Sequence, residues 1–159
     1  KKISFSLLFV IFGWYIISSC LVFPYYLSYF NELGGGQKNG YQYVTDSNYD
    51  WGQDLKRLEV WVEKNNIEKI YVDYFGGGDV FYYLREKFLC SQILKSPSEF
   101  PSGNYLAVSA TLLQGGRGEP VKNFDQAAGY YNWLNDYEPI DRAGNSIFIY
   151  YIQHDKSHL

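Results

Sequence analysis

The feature that most constrains the fold is an uncharged, largely apolar run near the start of the chain. No charged residue occurs within residues 3–23, and the next charge along the chain is Glu32. A run of about 20 apolar residues is the length that a helix needs to cross a bilayer. We therefore predict a transmembrane helix over residues 1–24, which Pro24 would end because proline disrupts helix continuation.

The residues around this run favour one orientation and leave one alternative open. Positive charges concentrate on the cytoplasmic side of membrane helices, so Lys1 and Lys2 place the following domain outside the cytoplasm. The alternative is a lipoprotein signal peptide, because Ser18, Ser19 and Cys20 follow an apolar stretch. Such a signal should lead into a polar tether, whereas apolar and aromatic residues follow here, and its core measures only ~7–15 residues. The spanning helix is therefore the favoured interpretation.

The composition indicates one domain beyond the apolar run. The sequence has no methionine, so we expect it to be a C-terminal portion of a larger protein or a processed chain. Residues 25–153 suffice for one domain with its own core, and residues 154–159 form a polar tail. The net charge is −3 with both signs interspersed, which argues against a nucleic-acid partner. Two cysteines exclude a disulfide scaffold.

Strand-like and helix-like patterns alternate along residues 25–153. The predicted strands are 41–45, 69–75, 105–110 and 146–152. The predicted helices are 24–33, 51–65, 79–87 and 126–134, and most of 88–102 is predicted to be loop. This order predicts an α/β fold, in which one N-terminal transmembrane helix precedes a small layered domain with a largely parallel sheet. Loops 46–54, 76–79 and 111–116 would then meet at the carboxyl edge, where ligands bind in such sheets.

The polar segment 46–54 is the strongest candidate site. It holds three carboxylates, two carboxamides and an indole, contributed by Asp46, Asn48, Asp50, Trp51, Gln53 and Asp54. A Trp beside such groups is a common arrangement for holding a sugar, with the ring on the apolar face and oxygens on the hydroxyls. The local alternative is helix capping, with Asp50 as N-cap, Gln53 completing a capping box and Asp54 favoured by the helix dipole. Capping leaves Asn48 and Trp51 unexplained, and both interpretations stay open.

The spacing of Asp46, Asn48 and Asp50 also resembles the start of a calcium loop. An EF-hand needs Gly at the sixth position and Glu at the twelfth, where this chain has Trp51 and Arg57. We therefore assign neither a metal nor a cofactor from the sequence.

Two other segments would lie at the same edge of the predicted sheet. Residues 76–78 are all glycine, but no phosphate-loop lysine or GxGxxG spacing accompanies them, so we predict a tight strand-to-helix turn. Ser109, Thr111 and Gln114 follow another predicted strand and could reach the segment 46–54. Tyr74 precedes the glycines and joins the candidate set.

Taken together, the motifs resemble the C-terminal part of bacterial membrane glycosyltransferases that use polyprenyl-phosphate sugars. That family is related to the protein O-mannosyltransferases and to the aminoarabinose transferase of lipid A. The resemblance spans about residues 25–152, and the string that begins at Asp46 is its most specific part. The matching motifs are Tyr29-Phe30-Asn31-Glu32-Leu33-x-Gly35-Gly36, Asn39-Gly40-Tyr41, Asp46-Ser47-Asn48-x-Asp50-Trp51-Gly52-Gln53-Asp54-Leu55, Tyr74-Phe75-Gly76, Ser109-Ala110-Thr111-x-Leu113-Gln114-Gly115 and Trp133-Leu134.

The resemblance implies an integral-membrane enzyme whose C-terminal domain lies on the extracytoplasmic side. In that family a many-helix membrane region takes the sugar from a lipid-phosphate carrier, and the catalytic acids lie in a first extracytoplasmic loop that this sequence lacks. No residue here is therefore expected to be catalytic. The implied partners are the membrane, a lipid-linked sugar donor and an unknown acceptor, the last two through that missing region.

We accordingly expect an accessory domain. In this hypothesis the segment 46–54, Tyr74 and Gln114 hold an acceptor or glycan, or dock onto the catalytic loops. The first alternative is a non-catalytic, membrane-anchored module that binds a saccharide or calcium. The second is a purely structural domain in which the acidic segment only caps a helix.

Overall fold

The apolar run forms one continuous helix, α1, over Phe5–Val22. Its mean hydropathy is 2.2 and only 11% of it is buried, so by length and composition it can cross a membrane, a test that a signal sequence also passes. The two buried residues, Ser18 and Val22, lie in its last turns, where the helix meets the rest of the chain. There the Ser18 hydroxyl donates a hydrogen bond of 2.9 Å to Glu32.

The computed structural model describes residues 5–46, 49–91, 94, 96–119 and 127–153. Beyond α1 these residues form a mixed α/β domain. Its strands are β1 Ile70–Asp73, β2 Phe88–Cys90, β3 Asn104–Ser109, β4 Asp141–Ala143 and β5 Ile147–Ile152. Its helices are α2 Leu55–Lys64, α3 Val80–Leu84 and α4 Ala110–Gly115. Short 3₁₀ helices occupy Tyr26–Ser28, Glu32–Gly34, Gly40–Gln42, Arg85–Lys87 and Asn132–Asp136.

The five strands form one sheet in the order β2-β1-β3-β5-β4. Strand β1 pairs in parallel with β2 and β3, whereas β5 pairs antiparallel with β3 and β4. The sheet is therefore mixed, and the expectation of a largely parallel sheet is not confirmed. The strand that runs against the others is β5, which follows β4, a strand that the sequence analysis missed. A short turn at residues 144–146 joins β4 to β5, and strands connected by so short a turn must run antiparallel.

The sheet is buried on both faces. On one face Leu106, Val108 and Phe148 contribute to a core cluster with the rings of Tyr49 and Tyr131. On the other face the amphipathic helix α2 packs on the sheet, and its buried residues are Leu55, Leu58 and Val62. Successive strand residues point to opposite faces, which explains why β5 reads as a nearly continuous apolar run.

Three predicted strands and two predicted helices are confirmed with shifted ends. The strands predicted at 69–75, 105–110 and 146–152 correspond to β1, β3 and β5. The predicted helix 79–87 is α3 followed by a 3₁₀ turn, and the Asp79 carboxylate caps it by accepting from the Phe81 N–H. The predicted helix 51–65 begins only at Leu55.

Four other predictions are wrong or only approximate. Residues 41–45 are not a strand, because Gly40–Gln42 is a 3₁₀ helix whose Tyr41 ring packs edge-on against Phe148 at 4.7 Å. Residues 111–116 are not a loop but belong to α4. The segment 24–33 forms two short 3₁₀ helices rather than one helix. By contrast, the prediction that most of 88–102 is loop is confirmed for its described residues, apart from β2 at Phe88–Cys90. Of the predicted helix 126–134, Gln126 lies outside the described residues, and a 3₁₀ helix begins only at Asn132. The predicted tail 154–159 also lies outside the described residues.

Candidate functional site

An open cavity of about 460 Å³ lies beside the carboxyl end of β1. Its lining residues are Asp46, Asp50, Trp51, Tyr74, Phe75, Gly76 and Gly77. The segments predicted to converge do meet here, although residues 111–116 belong to α4 rather than to a loop. The Asp46 N–H donates to the Thr111 hydroxyl at 2.9 Å, and the Phe75 N–H donates to the Ser109 hydroxyl at 2.9 Å. Four of the sequence-predicted site residues therefore share one cavity, as expected at the end of a parallel strand pair.

Asp50 is fully buried although it lines the cavity. Its Oδ1 accepts a hydrogen bond of 3.0 Å from the Gly52 N–H. Its Oδ2 has no hydrogen-bond partner within the described part of the chain. Burial raises the pKa of the Asp50 carboxyl above its usual value, and the bond from Gly52 and weaker contacts with the Ser146 side chain and the Thr111 backbone act in the opposite direction. Since buried polar atoms normally have partners, the Asp50 carboxyl has acceptor capacity that hydrogen bonds of ordinary geometry from the described residues do not fill.

Trp51 places an exposed indole next to this carboxylate. Its relative exposure is 60%, which is high for so large an apolar side chain. The Gln53 side chain braces the backbone here, accepting from the Trp51 N–H at 2.8 Å and donating to the Tyr49 carbonyl at 3.3 Å. Gln53 therefore shapes the loop but does not line the cavity. It closes no capping box, contrary to the prediction.

Tyr74 holds the two walls of the cavity together. Its hydroxyl donates a hydrogen bond of 2.8 Å to the Gly52 carbonyl, and burial raises the pKa of this phenol. A Cβ on Gly52 would lie 2.1 Å from the Tyr74 hydroxyl, and one on Gly76 would lie 2.7 Å from the Gly52 Cα. Both glycines also have positive φ angles, +75° and +138°. Close approach and backbone conformation thus account for these glycines, in agreement with the predicted turn.

Asp54 is buried like Asp50 but lies outside the cavity. Its Oδ2 accepts from the backbone N–H groups of Asn145 and Ser146 at 2.9 Å each, and from the Ser146 hydroxyl at 3.0 Å. Its Oδ1 accepts from Arg57 in a salt bridge. Asp54 occupies the N-cap position of α2 without a side-chain capping bond, so the prediction of Asp50 as N-cap is wrong. The Asp54 carboxylate does not cap the helix because it accepts hydrogen bonds from the turn between β4 and β5 instead.

The three remaining candidate residues are not all brought together. Asp46 has a positive φ of 54°, and its carbonyl accepts from the Tyr49 and Asp50 N–H groups, which turns the loop into the cavity. Gln114 lies apart and donates to the Tyr41 carbonyl at 3.0 Å. Asn48 lies outside the described residues.

The sequence analysis missed Asn145 and Ser146, which hold the Asp54 carboxylate. The dipeptide Gly144-Asn145 is a turn signal that could have located them. Gly144 has a φ of +64°, and a Cβ there would lie 2.1 Å from the Asp54 Cγ. The turn therefore needs glycine both for its conformation and for the approach of the carboxylate.

The chemistry of the cavity is that of hydrogen-bond acceptance and aromatic stacking. No group of three or more His, Cys, Asp or Glu side chains is placed to hold a metal ion in residues 5–46, 49–91, 94, 96–119 and 127–153. A carboxylate whose hydrogen bonds from the described residues are incomplete, beside an exposed indole, suits a neutral ligand that carries hydroxyl donors and an apolar face.

Comparisons with protein-family models, curated proteins and solved structures find no match to this chain. The glycosyltransferase resemblance therefore rests on the quoted sequence motifs alone. These comparisons assign the chain to no family.

Proposed function

We propose that this chain is a membrane-anchored domain that binds a saccharide in the cavity between Asp50 and Trp51. The observation that carries the proposal is the buried Asp50 carboxylate, which belongs to the lining of an open cavity and whose Oδ2 makes no hydrogen bond of ordinary geometry with the described residues. Leaving such an oxygen unpaired costs about 1–3 kcal/mol. A ligand hydroxyl that donates to it would recover that free energy.

The neighbouring indole explains why the ligand would be a sugar rather than another hydroxyl compound. A pyranose ring has an apolar face of C–H groups that can stack on Trp51, while its equatorial hydroxyls point sideways to acceptors. The cavity volume of about 460 Å³ lies within the ~300–1,000 Å³ of small-molecule sites. Asp46 supplies a second carboxylate at the same cavity.

The wider proposal is that the domain is accessory to an integral-membrane glycosyltransferase that uses a lipid-linked sugar. The support is that the motif string 46–55, which carries the resemblance, supplies three of the cavity residues. Helix α1 would anchor the domain, with Lys1 and Lys2 on the cytoplasmic side. The cavity would then hold an acceptor or glycan outside the cytoplasm, and the catalytic acids would belong to a separate membrane region.

Saccharide binding can be tested by calorimetric titration of the whole chain in lipid nanodiscs with a panel of neutral and amino disaccharides. Trp51→Ala should lower the affinity of a bound saccharide roughly tenfold, which corresponds to 1.4 kcal/mol. Phe81→Ala is a matched control, because Phe81 is 63% exposed and does not line the cavity. Equal losses in both variants, or no binding of any saccharide to the native chain, would overturn the proposal.

The enzyme context needs a separate test. An antibody against this domain should detect, in native membranes, a product several times larger than the 159-residue chain. A product of about this size would remove the glycosyltransferase proposal and leave an anchored binding module.

The second candidate function is calcium binding, favoured by Asp46 and Asp50 lining the same cavity. An ion bound only to the folded state must stabilise it, so calcium should raise the melting temperature of the native chain. Asp50→Asn should abolish that rise. A melting temperature that is unchanged by calcium would remove this candidate.

A further inference from the structure

A second, larger cavity of about 580 Å³ borders the edge strand β4 and the turn that joins it to β5. Its lining includes Tyr25, Gln37, Lys38, Asp141, Arg142 and Asn145. None of these residues lines the Asp50 cavity. The site is thus distinct from the one to which the saccharide is assigned.

Two cations face this cavity without an acidic partner. Within the described residues the one salt bridge joins Arg57 to Asp54, so neither Lys38 nor Arg142 is ion-paired there. The only carboxylate in the lining, Asp141, is already occupied. Its Oδ1 accepts from the Arg142 N–H and its Oδ2 from the Trp61 indole N–H, each at 2.8 Å. The cavity lining therefore has more positively charged than negatively charged side chains that can still contact a ligand.

The Arg142 guanidinium is held rigidly in place. Its Cζ lies over the Phe148 ring, 4.2 Å from the ring centroid, and over the Tyr41 ring, 4.9 Å from the centroid. Its Nη1 donates to the Lys38 carbonyl at 2.6 Å, which also fixes the backbone that carries the second cation. A planar guanidinium held in this way is well suited to phosphate, because its remaining N–H groups form a fixed fork.

The cavity is built on the segment that leaves the apolar helix. Tyr25 lines it, and the Tyr25 N–H donates to the Val22 carbonyl at the end of α1 at 2.7 Å. Asn145 lines it from the hairpin and donates to the Ser28 hydroxyl at 2.8 Å. If α1 spans the bilayer, these contacts place the cavity at the level of the lipid headgroups.

From this arrangement we infer that the Lys38–Arg142 cavity binds the phosphate group of an anionic membrane lipid. The ammonium of Lys38 and the guanidinium of Arg142 would contact the phosphate oxygens, and Gln37 and Asn145 would bound the polar rim. Basic pockets beside membrane helices recognise lipid headgroups through the same chemistry. The inference rests on the membrane anchoring proposed above, but not on saccharide binding, so a failed saccharide titration leaves it standing.

The test is native mass spectrometry of the whole chain in a detergent without phosphate, titrated with phosphatidylglycerol or phosphatidylcholine. The native chain should bind phosphatidylglycerol about tenfold more tightly than phosphatidylcholine. Lys38→Gln should lower phosphatidylglycerol affinity about fivefold, the effect of one cation near an anionic surface. Lys64→Gln removes the same charge from an exposed position outside the cavity and should have no effect.

Folding does not compromise this test. The Lys38 side chain is exposed and makes no hydrogen bond within the described residues, so Lys38→Gln alone is decisive if an Arg142 variant unfolds. Equal affinity for the two lipids would overturn the inference, as would an equal loss in Lys64→Gln. Competition by inorganic phosphate at the affinity of phosphatidylglycerol would assign the cavity to soluble phosphate instead and would also overturn it.

Discussion

Asp50 and Asp54 are two buried carboxylates, four residues apart in the same segment, with opposite environments. Asp54 accepts from two backbone N–H groups, a hydroxyl and Arg57. Asp50 accepts one hydrogen bond of ordinary geometry among the described residues, from Gly52, and lines a cavity. Burial is the same for both residues, and the number of partners is what separates them.

The comparison shows that burial of a carboxylate does not by itself indicate a binding site. A buried charge whose partners are complete, such as Asp54, ties elements of the fold together. A buried charge with an incomplete set, such as Asp50, costs free energy unless a ligand completes it. The polar segment 46–54 therefore contains a structural half and a candidate binding half, divided at Gln53.

The largest expected effect is the loss of stability in Asp54→Ala. The substitution leaves Arg57 and the buried N–H groups of Asn145 and Ser146 without an acceptor. Breaking such a pair costs about 3–5 kcal/mol, and the partial exposure of Arg57 favours the lower end. Urea unfolding measures this loss. If Asp50→Ala proves equally destabilising, the distinction between the two carboxylates fails.

Asp50→Ala should act on binding instead. A hydrogen bond to a charged acceptor contributes about 1.5–3 kcal/mol, so saccharide affinity should fall at least tenfold while unfolding changes little. Calorimetric titration and urea unfolding of the same preparation give the two values. An unchanged affinity would show that the free Oδ2 contacts no ligand and would make this segment structural throughout.

The pH dependence of stability distinguishes Asp50 more finely. Because its pKa is raised in the folded state, the protonated form is favoured on folding. The resulting stability is fully present below the unfolded value near 3.8 and is lost as the pH rises through the folded pKa. Asp50→Asn cannot ionise, so its stability relative to the native chain should increase with pH.

Unfolding of both proteins at several values between pH 4 and pH 8 tests that expectation. Using the difference between them removes the contributions of the other carboxylates. A difference that is constant with pH would mean that Asp50 titrates as it does in the unfolded chain.

The smallest effect is expected for Thr111→Val. The hydroxyl of Thr111 accepts from the Asp46 N–H, which water can replace because Asp46 is exposed. The loss should be about 0.5 kcal/mol, at the low end for a hydrogen bond. Ser109→Ala is the paired variant, since its hydroxyl accepts from the half-buried Phe75 backbone, and it should cost more. If Thr111→Val lowers the free energy of unfolding in urea more than Ser109→Ala does, the relative burial given to these two hydrogen bonds is contradicted.

Local patterns in the sequence determined the elements whose residues carry a clear periodicity. The uncharged run determined α1, the amphipathic repeat determined most of α2, and apolar runs located β1, β3 and β5. These features depend on residues within a few positions of one another. The convergence of Asp46, Asp50, Trp51 and Tyr74 was also predictable, because the carboxyl end of a strand that is paired in parallel brings its loops together.

Only the tertiary structure decided which acidic residue of the segment is structural and which faces a cavity. The partners of Asp54 lie in a hairpin turn as many as 92 residues further along the chain. That hairpin contains β4, whose three residues carry no strand pattern, and it makes the sheet mixed. Hydrogen bonds over such a separation depend on how the elements pack. For that reason a pattern of neighbouring residues predicts a polar segment but does not divide it.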